Sequence, residues 1–154
     1  MASYLYGLYR SKALGHATEQ VNWITHDIKA MLVDGGAYTP AQNTHDYHDD
    51  VAGGAIIATS GNFASKTATL GAADAADITW SSVSGVSVEY IIGFRDTGSS
   101  ATSPLMWKND DYTGLPVTPN GGNITAAWPS GGIFVLAISA LFALASQLSP
   151  TYWF

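Results

Sequence analysis

The 154 residues carry six Lys and Arg against twelve Asp and Glu, a net charge of −6, with no cysteine. Six basic residues argue against a surface built to neutralise nucleic-acid phosphates, and the missing cysteines exclude disulfide staples and thiolate metal sites. Charged residues reach only 12% and hydrophobic residues 47%, against about 25% charged in ordinary soluble proteins. The surface is therefore coated with Ser, Thr, Asn and Gly, or buried against other subunits. The length suits a single domain. The chain opens without a series of basic, apolar and small residues, so a cleaved signal peptide is not expected.

Residues 3 to 14, SYLYGLYRSKAL, predict a short helix with Tyr4 and Leu8 on one face and Leu5 and Tyr9 beside it. Ser3 is its expected N-cap, and Gly7 weakens it by about 1 kcal/mol. The helix would lie on a sheet or reach a neighbour, making Tyr4 and Leu8 interface candidates. Residues 1 to 22 form this N-terminal helix and arm, with Gly15 to Asn22 a polar loop. Trp23 to Val33 ends in a continuous apolar run, Ala30 to Val33, which predicts a strand buried on both faces. Asp34-Gly35-Gly36 stops it.

Asn43 to Asp50, NTHDYHDD, is the densest cluster of potential ligands. His45, Asp46, His48, Asp49 and Asp50 match no ligand spacing, and the i,i+4 helical His pair of zinc proteases is absent. The expectation is a solvated turn or single helical turn, capped by Asn43 or Asp46. His16 and His26 are isolated and receive no role. No metal and no cofactor is expected.

Val51 to Ser60 predicts a strand around Ala55 to Ala58, with a turn at Ser60-Gly61-Asn62. Lys66 to Leu70 is short and alternating, suited to a sheet edge, and Gly71 to Ala76 should break it. Val86 to Arg95 alternates with a period of two. Val86, Val88, Tyr90, Ile92 and Phe94 fall on one face, and Ser87, Glu89, Gly93 and Arg95 on the other, with Ile91 the apolar exception. Asp96 to Ser100 supplies turn residues, and Pro104 to Lys108 returns as a strand bearing Leu105 and Trp107. This core hairpin should bury Val88, Tyr90, Ile92 and Phe94 together, with Trp80 and Trp107 close by. Turns follow at Asn109 to Asp111, Thr113 to Pro116 and Val117 to Gly122, then a strand at Asn123 to Trp128. The pattern predicts a mainly β fold: an antiparallel sandwich or barrel-like domain, with a short N-terminal helix and an apolar C-terminal extension.

Catalytic signatures are lacking. Gly53-Gly54, Gly121-Gly122 and Gly131-Gly132 have neither the Walker lysine nor the dinucleotide pattern, and read as turns. Ser, His and Asp are present without a GxSxG elbow, so no enzyme is expected.

Ile133 to Leu148 holds sixteen residues without a charge, bordering on the roughly 17 to 25 that cross a bilayer. Ser139, Ser146 and Gln147 interrupt it, no Lys or Arg flanks it, and its first part is β-branched. A final strand at Ile133 to Ile138 and no membrane span are expected. The domain then covers 1–136, and 137–154 is an extension that docks into a neighbouring subunit. Leu141, Phe142, Leu144, Tyr152, Trp153 and Phe154 are its interface candidates.

Several segments in order resemble a family of small structural proteins of tailed bacteriophages. They are DIKAMLVDGGAYTP (Asp27 to Pro40), ATSGNFASKTAT (Ala58 to Thr69) and GAADAADITWSSVSGVSVEYIIGFRDTG (Gly71 to Gly98). ATSPL (Ala101 to Leu105) and TGLPVTPNGGNI (Thr113 to Ile124) complete the set. Members of that family end soon after a strand like Asn123 to Leu136, with a more polar close than this chain has. The resemblance implies a non-enzymatic virion component assembled in the bacterial cytoplasm. It would be a capsid decoration or cement protein, a homotrimer on the major capsid protein, anchored by scattered surface Trp and Tyr. The alternative is a neck, tail or fibre component that contacts the host or joins tail parts.

Overall fold

The computed structural model describes residues 3–15 and 20–136. Its elements are β1 (Tyr4–Leu5), α1 (Gly7–Ala13), β2 (Ile28–Val33), β3 (Ile56–Thr59), β4 (Thr67–Thr69) and β5 (Ala72–Asp74). They continue with β6 (Ile78–Trp80), β7 (Tyr90–Arg95), β8 (Leu105–Asn109), β9 (Ile124–Ala126) and β10 (Phe134–Val135). All strand pairing is antiparallel. One sheet runs β1-β8-β7-β2-β3, a second β10-β5-β4, and a third pairs β6 with β9. The fold is mainly β with one short helix, as the turn-punctuated pattern predicts.

The five-stranded sheet is built on β2 and β7, which pair in register from Ile28↔Arg95 to Val33↔Tyr90. Every residue of β2 except Lys29 is buried, and every residue of β7 except Arg95. Such two-sided burial is what the apolar run in β2 predicts. For β7 the expectation of one buried face needs correction. The strand starts at Tyr90, Val86 is 56% exposed, and Val88 makes an isolated bridge with Val117. Val88, Tyr90, Ile92 and Phe94 are buried as expected, yet Ile91 and Gly93 on the opposite side are buried too.

Trp107 explains that second buried face. It pairs with Gly93 across β7 and β8, so the two share a side of the sheet. A Cβ at position 93 would stand 2.0 Å from Trp107 Cη2 and 2.1 Å from Cζ3. Glycine is required because the indole occupies the space of a side chain. Around Trp107 the rings of Trp23, Phe63 and Phe134 lie 6.0, 5.9 and 5.4 Å away, centroid to centroid. Phe134 belongs to β10, so this cluster seats the three-stranded sheet on the five-stranded one in a sandwich-like arrangement. Trp80 donates its Nε1–H to the Ala30 carbonyl at 3.3 Å, beside the same pair.

The expected helix over 3 to 14 is shortened, and Ser3 is not its cap. Tyr4 and Leu5 pair with Lys108 and Trp107, and the Tyr6 amide donates to the Met106 carbonyl. Sheet pairing thus takes the backbone groups of the first turn and overrides helix propensity. Tyr4 and Leu8 consequently do not share a helical face. The helix begins at Gly7, whose amide donates to Gln42 O at 2.8 Å.

Two turn readings are also overturned. Ser60 to Asn62 is not a turn, because the Ser60 and Phe63 amides donate to Ala30 and Ile28 carbonyls and keep the chain along β2. Gly71 to Ala76 does not simply break a strand, since it contains β5, paired with β4 through the two-residue turn Leu70-Gly71. Small apolar residues with no β-branch concealed this strand. Both turn residues have positive φ, 52° at Leu70 and 83° at Gly71, the geometry of a type I′ hairpin. The strand expected at Ile133 to Ile138 is present as β10, with Leu136 N–H bonded to Gly71 O; Ala137 and Ile138 lie outside the described residues. No helix among the described residues is long and apolar enough to cross a membrane.

Two stability predictions follow from this geometry. Gly93→Ala should cost about 3 kcal/mol in equilibrium urea unfolding, the upper end of overpacking losses, and less in a Trp107→Leu background. Equal losses in both backgrounds would mean the indole is not the obstacle. Leu70→Asn should raise stability by about 1 kcal/mol by relieving a left-handed leucine, read as a higher urea midpoint at unchanged slope.

Candidate functional site

The Asn43 to Asp50 cluster does not converge. His45 Nδ1 lies 2.7 Å from the Tyr38 hydroxyl, while the His48 ring packs on Phe94 at 4.7 Å between centroids. Asp50 Oδ2 accepts the amides of Asp46 and Tyr47 at 2.6 and 2.9 Å, and caps the short 3₁₀ turn His48–Asp50. The N-cap residue is therefore Tyr47, its amide held by the Asp50 carboxylate, rather than Asn43 or Asp46. Asn43 instead accepts from Arg10 Nη2 at 3.0 Å. No group of three or more His, Cys, Asp or Glu is gathered to hold a metal among the described residues.

His48 does line a cleft of about 230 Å³ with Lys29, Phe94, Asp96 and Ser103. Lys29 Nζ lies 2.5 Å from Asp96 Oδ2, and Gly98 N–H donates to Asp96 Oδ1 at 2.8 Å. These donors hold the Asp96 carboxyl below the usual carboxylate range, whereas burial holds the His48 imidazole below its ordinary value. Ser103 is buried, accepts the Thr97 amide and donates to Ser99 O at 2.7 Å. Its hydroxyl is engaged with backbone, so the arrangement braces the 96–103 connection. The sequence shows Ser, His and Asp in supply but nothing that pairs position 48 with position 96.

A second cavity, about 290 Å³, lies between Tyr112 and Trp128 and is also lined by Asn109, Asp111 and Thr113. The Tyr112 hydroxyl donates to Ala127 O at 2.8 Å and accepts from Ala127 N at 2.6 Å. Trp128 N–H donates to Asp77 Oδ1 at 3.0 Å. The two rings meet at 70° with centroids 5.9 Å apart, forming a fixed aromatic corner. The turns expected at Asn109 to Asp111 and Thr113 to Pro116 gave no sign of this site, because the 114–123 connection and β9 separate its halves.

Of the interface candidates, Tyr4 is half-buried in β1, its ring 5.1 Å from the Lys108 ammonium, and Leu8 is half-buried on α1. Leu141, Phe142, Leu144, Tyr152, Trp153 and Phe154 lie outside the described residues. The expected surface tryptophans are corrected: Trp23, Trp80 and Trp107 are core, as are Tyr6, Tyr9, Tyr38 and Tyr90. The exposed large apolar side chains include Leu70 at 98%, Val135 at 48% and Leu136 at 44%. Leu70 sits at the turn whose Gly71 carbonyl accepts the Leu136 amide, and residues 137–154 follow Leu136 in the sequence.

No protein-family model and no curated protein matches this chain.

The first cleft predicts a two-step acid response. Asp96 has a folded pKa below its unfolded value of about 3.9, so its contribution is complete above about pH 4 and is lost as pH falls through the lower folded value. His48, likewise depressed from about 6.5, contributes fully above that pH and loses its contribution as pH falls through its own folded value. Urea midpoints followed from pH 8 to pH 2.5 should show both declines. Asp96→Asn should flatten the lower one and His48→Gln the upper; curves parallel to the parent's would refute the assignment.

Proposed function

We propose that this chain is a non-enzymatic structural protein of a tailed-bacteriophage virion, a decoration protein that cements the head by binding across neighbouring capsid subunits. The observation carrying the reading is the 98% exposure of Leu70, at the turn whose Gly71 carbonyl accepts the Leu136 amide. Leu70 stands almost wholly in solvent on a left-handed backbone, where an apolar β-carbon-bearing residue gains nothing in the monomer. A residue that breaks a local rule without compensation marks a site under another demand. Residues 137–154 follow directly and contain no Asp, Glu, Lys, Arg or His. The sequence resemblance supplies the virion context.

The work of such a protein is mechanical. Packaged DNA presses the shell outward, and an added interface must be broken before neighbouring capsomers separate. Burying five large side chains from the turn and extension contributes about 8–15 kcal/mol of transfer free energy, before ordering entropy is subtracted. The expected form is a homotrimer on the major capsid protein, with Leu141, Phe142, Leu144, Tyr152, Trp153 and Phe154 as its apolar anchors. With Trp23, Trp80 and Trp107 committed to the core, those anchors carry the binding.

Heads lacking the protein, reconstituted with the purified chain, test the reading. The full chain should bind and raise the temperature at which heads release DNA. A chain ending at Leu136 should keep its β-type circular dichroism and lose binding, and Leu70→Asn should weaken binding while folding normally. Heads that gain no heat resistance refute the cement role, and immunogold over the tail would move the protein to the neck or tail. A truncated chain that unfolds would make the extension part of the core.

A further inference from the structure

The second cavity has walls and charge suited to one kind of guest. Tyr112 and Trp128 offer aromatic surface, Asn109 and Thr113 offer neutral polar groups, and Asp111 offers a carboxylate. Among the described residues, the Asp111 side chain accepts a neutral donor, the Ser3 hydroxyl, at 2.5 Å. An anionic ligand would be repelled there. A wholly apolar one would strip water from three polar side chains without replacing its hydrogen bonds.

The Lys and Arg side chains of the chain all lie elsewhere. Lys29 pairs with Asp96 and Lys108 with Asp110, and Lys12 sits over the Tyr47 ring. Lys66 donates to the His26 carbonyl, Arg10 to Asn43 and Arg95 to the Gln20 carbonyl. These are all six basic residues of the sequence, and none lines the cavity. Two of them, Lys12 and Lys108, are each only 1% exposed, Lys108 together with its partner Asp110, whose side chain is 9% exposed, and the net charge of the chain is −6.

We propose that this corner receives a cationic side chain, a guanidinium in particular, from a partner protein. A planar guanidinium stacks on an aromatic face while its N–H fork meets a carboxylate, and Trp128 with Asp111 provides both. Long-range attraction by the chain's net negative charge would steer a basic partner patch toward it. The inference rests on the protein-binding reading above only for the source of the cation; the pocket's preference for that cation stands apart from it.

The test uses the full-length chain and Nα-acetyl-L-argininamide, followed by nuclear magnetic resonance of the tryptophan indole N–H groups. The Trp128 indole signal should shift and saturate, while those of Trp23, Trp80 and Trp107 stay in place. Asp111→Asn should weaken binding at least about fivefold, as removal of a charge-assisted partner does. The uncharged isostere Nα-acetyl-L-citrullinamide should bind at least as much more weakly. Equal affinity for the citrulline compound, or for methyl glucoside, would make this a neutral polar site and overturn the proposal. So would an unsaturable shift spread over all indoles, or affinity unchanged by Asp111→Asn. A chain that binds argininamide but not heads would overturn the cement role and leave the pocket intact.

Discussion

Trp107 lies where a side chain at position 93 would stand, and much of the described structure depends on that contact. Glycine inside a strand costs about 0.5–1 kcal/mol relative to alanine, a cost offset here by one of the largest buried side chains in the molecule. The pairing shifts register between Gly93 and Phe94, with Met106 the additional residue on β8. A bulge of this kind bends and re-aims its strand. The Met106 carbonyl accepts the Tyr6 amide, which ties the N-terminal arm to the same hairpin. Beyond the indole, Trp23, Phe63 and Phe134 complete a cluster whose ring planes are mostly steeply inclined. Edge-to-face aromatic pairs contribute about 0.5–1.5 kcal/mol beyond their buried area. The contact at position 93 thus connects both larger sheets.

The other side of the five-stranded sheet is held differently. Lys108 is buried with its ammonium 4.8 Å from the Tyr90 ring centroid, and 2.8 Å from Asp110 Oδ2. A buried ion needs both a counter-charge and surrounding polarisable groups to offset its desolvation. Removing Asp110 alone would therefore cost more than the pair itself is worth. Lys12 is likewise buried with its ammonium over an aromatic ring, that of Tyr47. A composition poor in charge would suggest that every charge is kept for solubility. Two of its six basic groups are instead structural.

This division shows what the amino-acid sequence could express. The β2 run, the β7–β8 hairpin, the edge position of β4 and the β9 strand were legible, because each depends on local alternation, apolar continuity or turn residues. Where non-local pairing decided the outcome, local reading failed. Tyr4 and Leu5 follow a helical pattern but are drawn into β8, and the alanines of β5 gain their strand from β4 and β10. Gly93 appeared as one residue of a polar face, since nothing near it announces the Trp107 indole. The two clefts were invisible for the same reason, each combining residues contributed by separate segments. His45 and His48 are neighbours in sequence, yet Tyr38 engages one and Phe94 the other.

The free edges of the sheets bear on how such a surface could associate. β1 has two residues, β3 has four and is bulged against β2, and β4 consists of Thr67, Ala68 and Thr69. Short or bulged edges resist recruitment of a further strand. Backbone pairing is therefore a poor route to assembly for this fold, and burial of side chains is the better one. The β4–β5 turn is where those considerations meet. A type I′ turn would be most stable with Asn or Gly at its first position, but an asparagine there would present an amide to solvent where this chain presents a branched apolar side chain. Holding leucine at that position keeps a strained, exposed apolar residue at the turn. On the reading proposed above, that exchange would favour an assembled state over the free monomer.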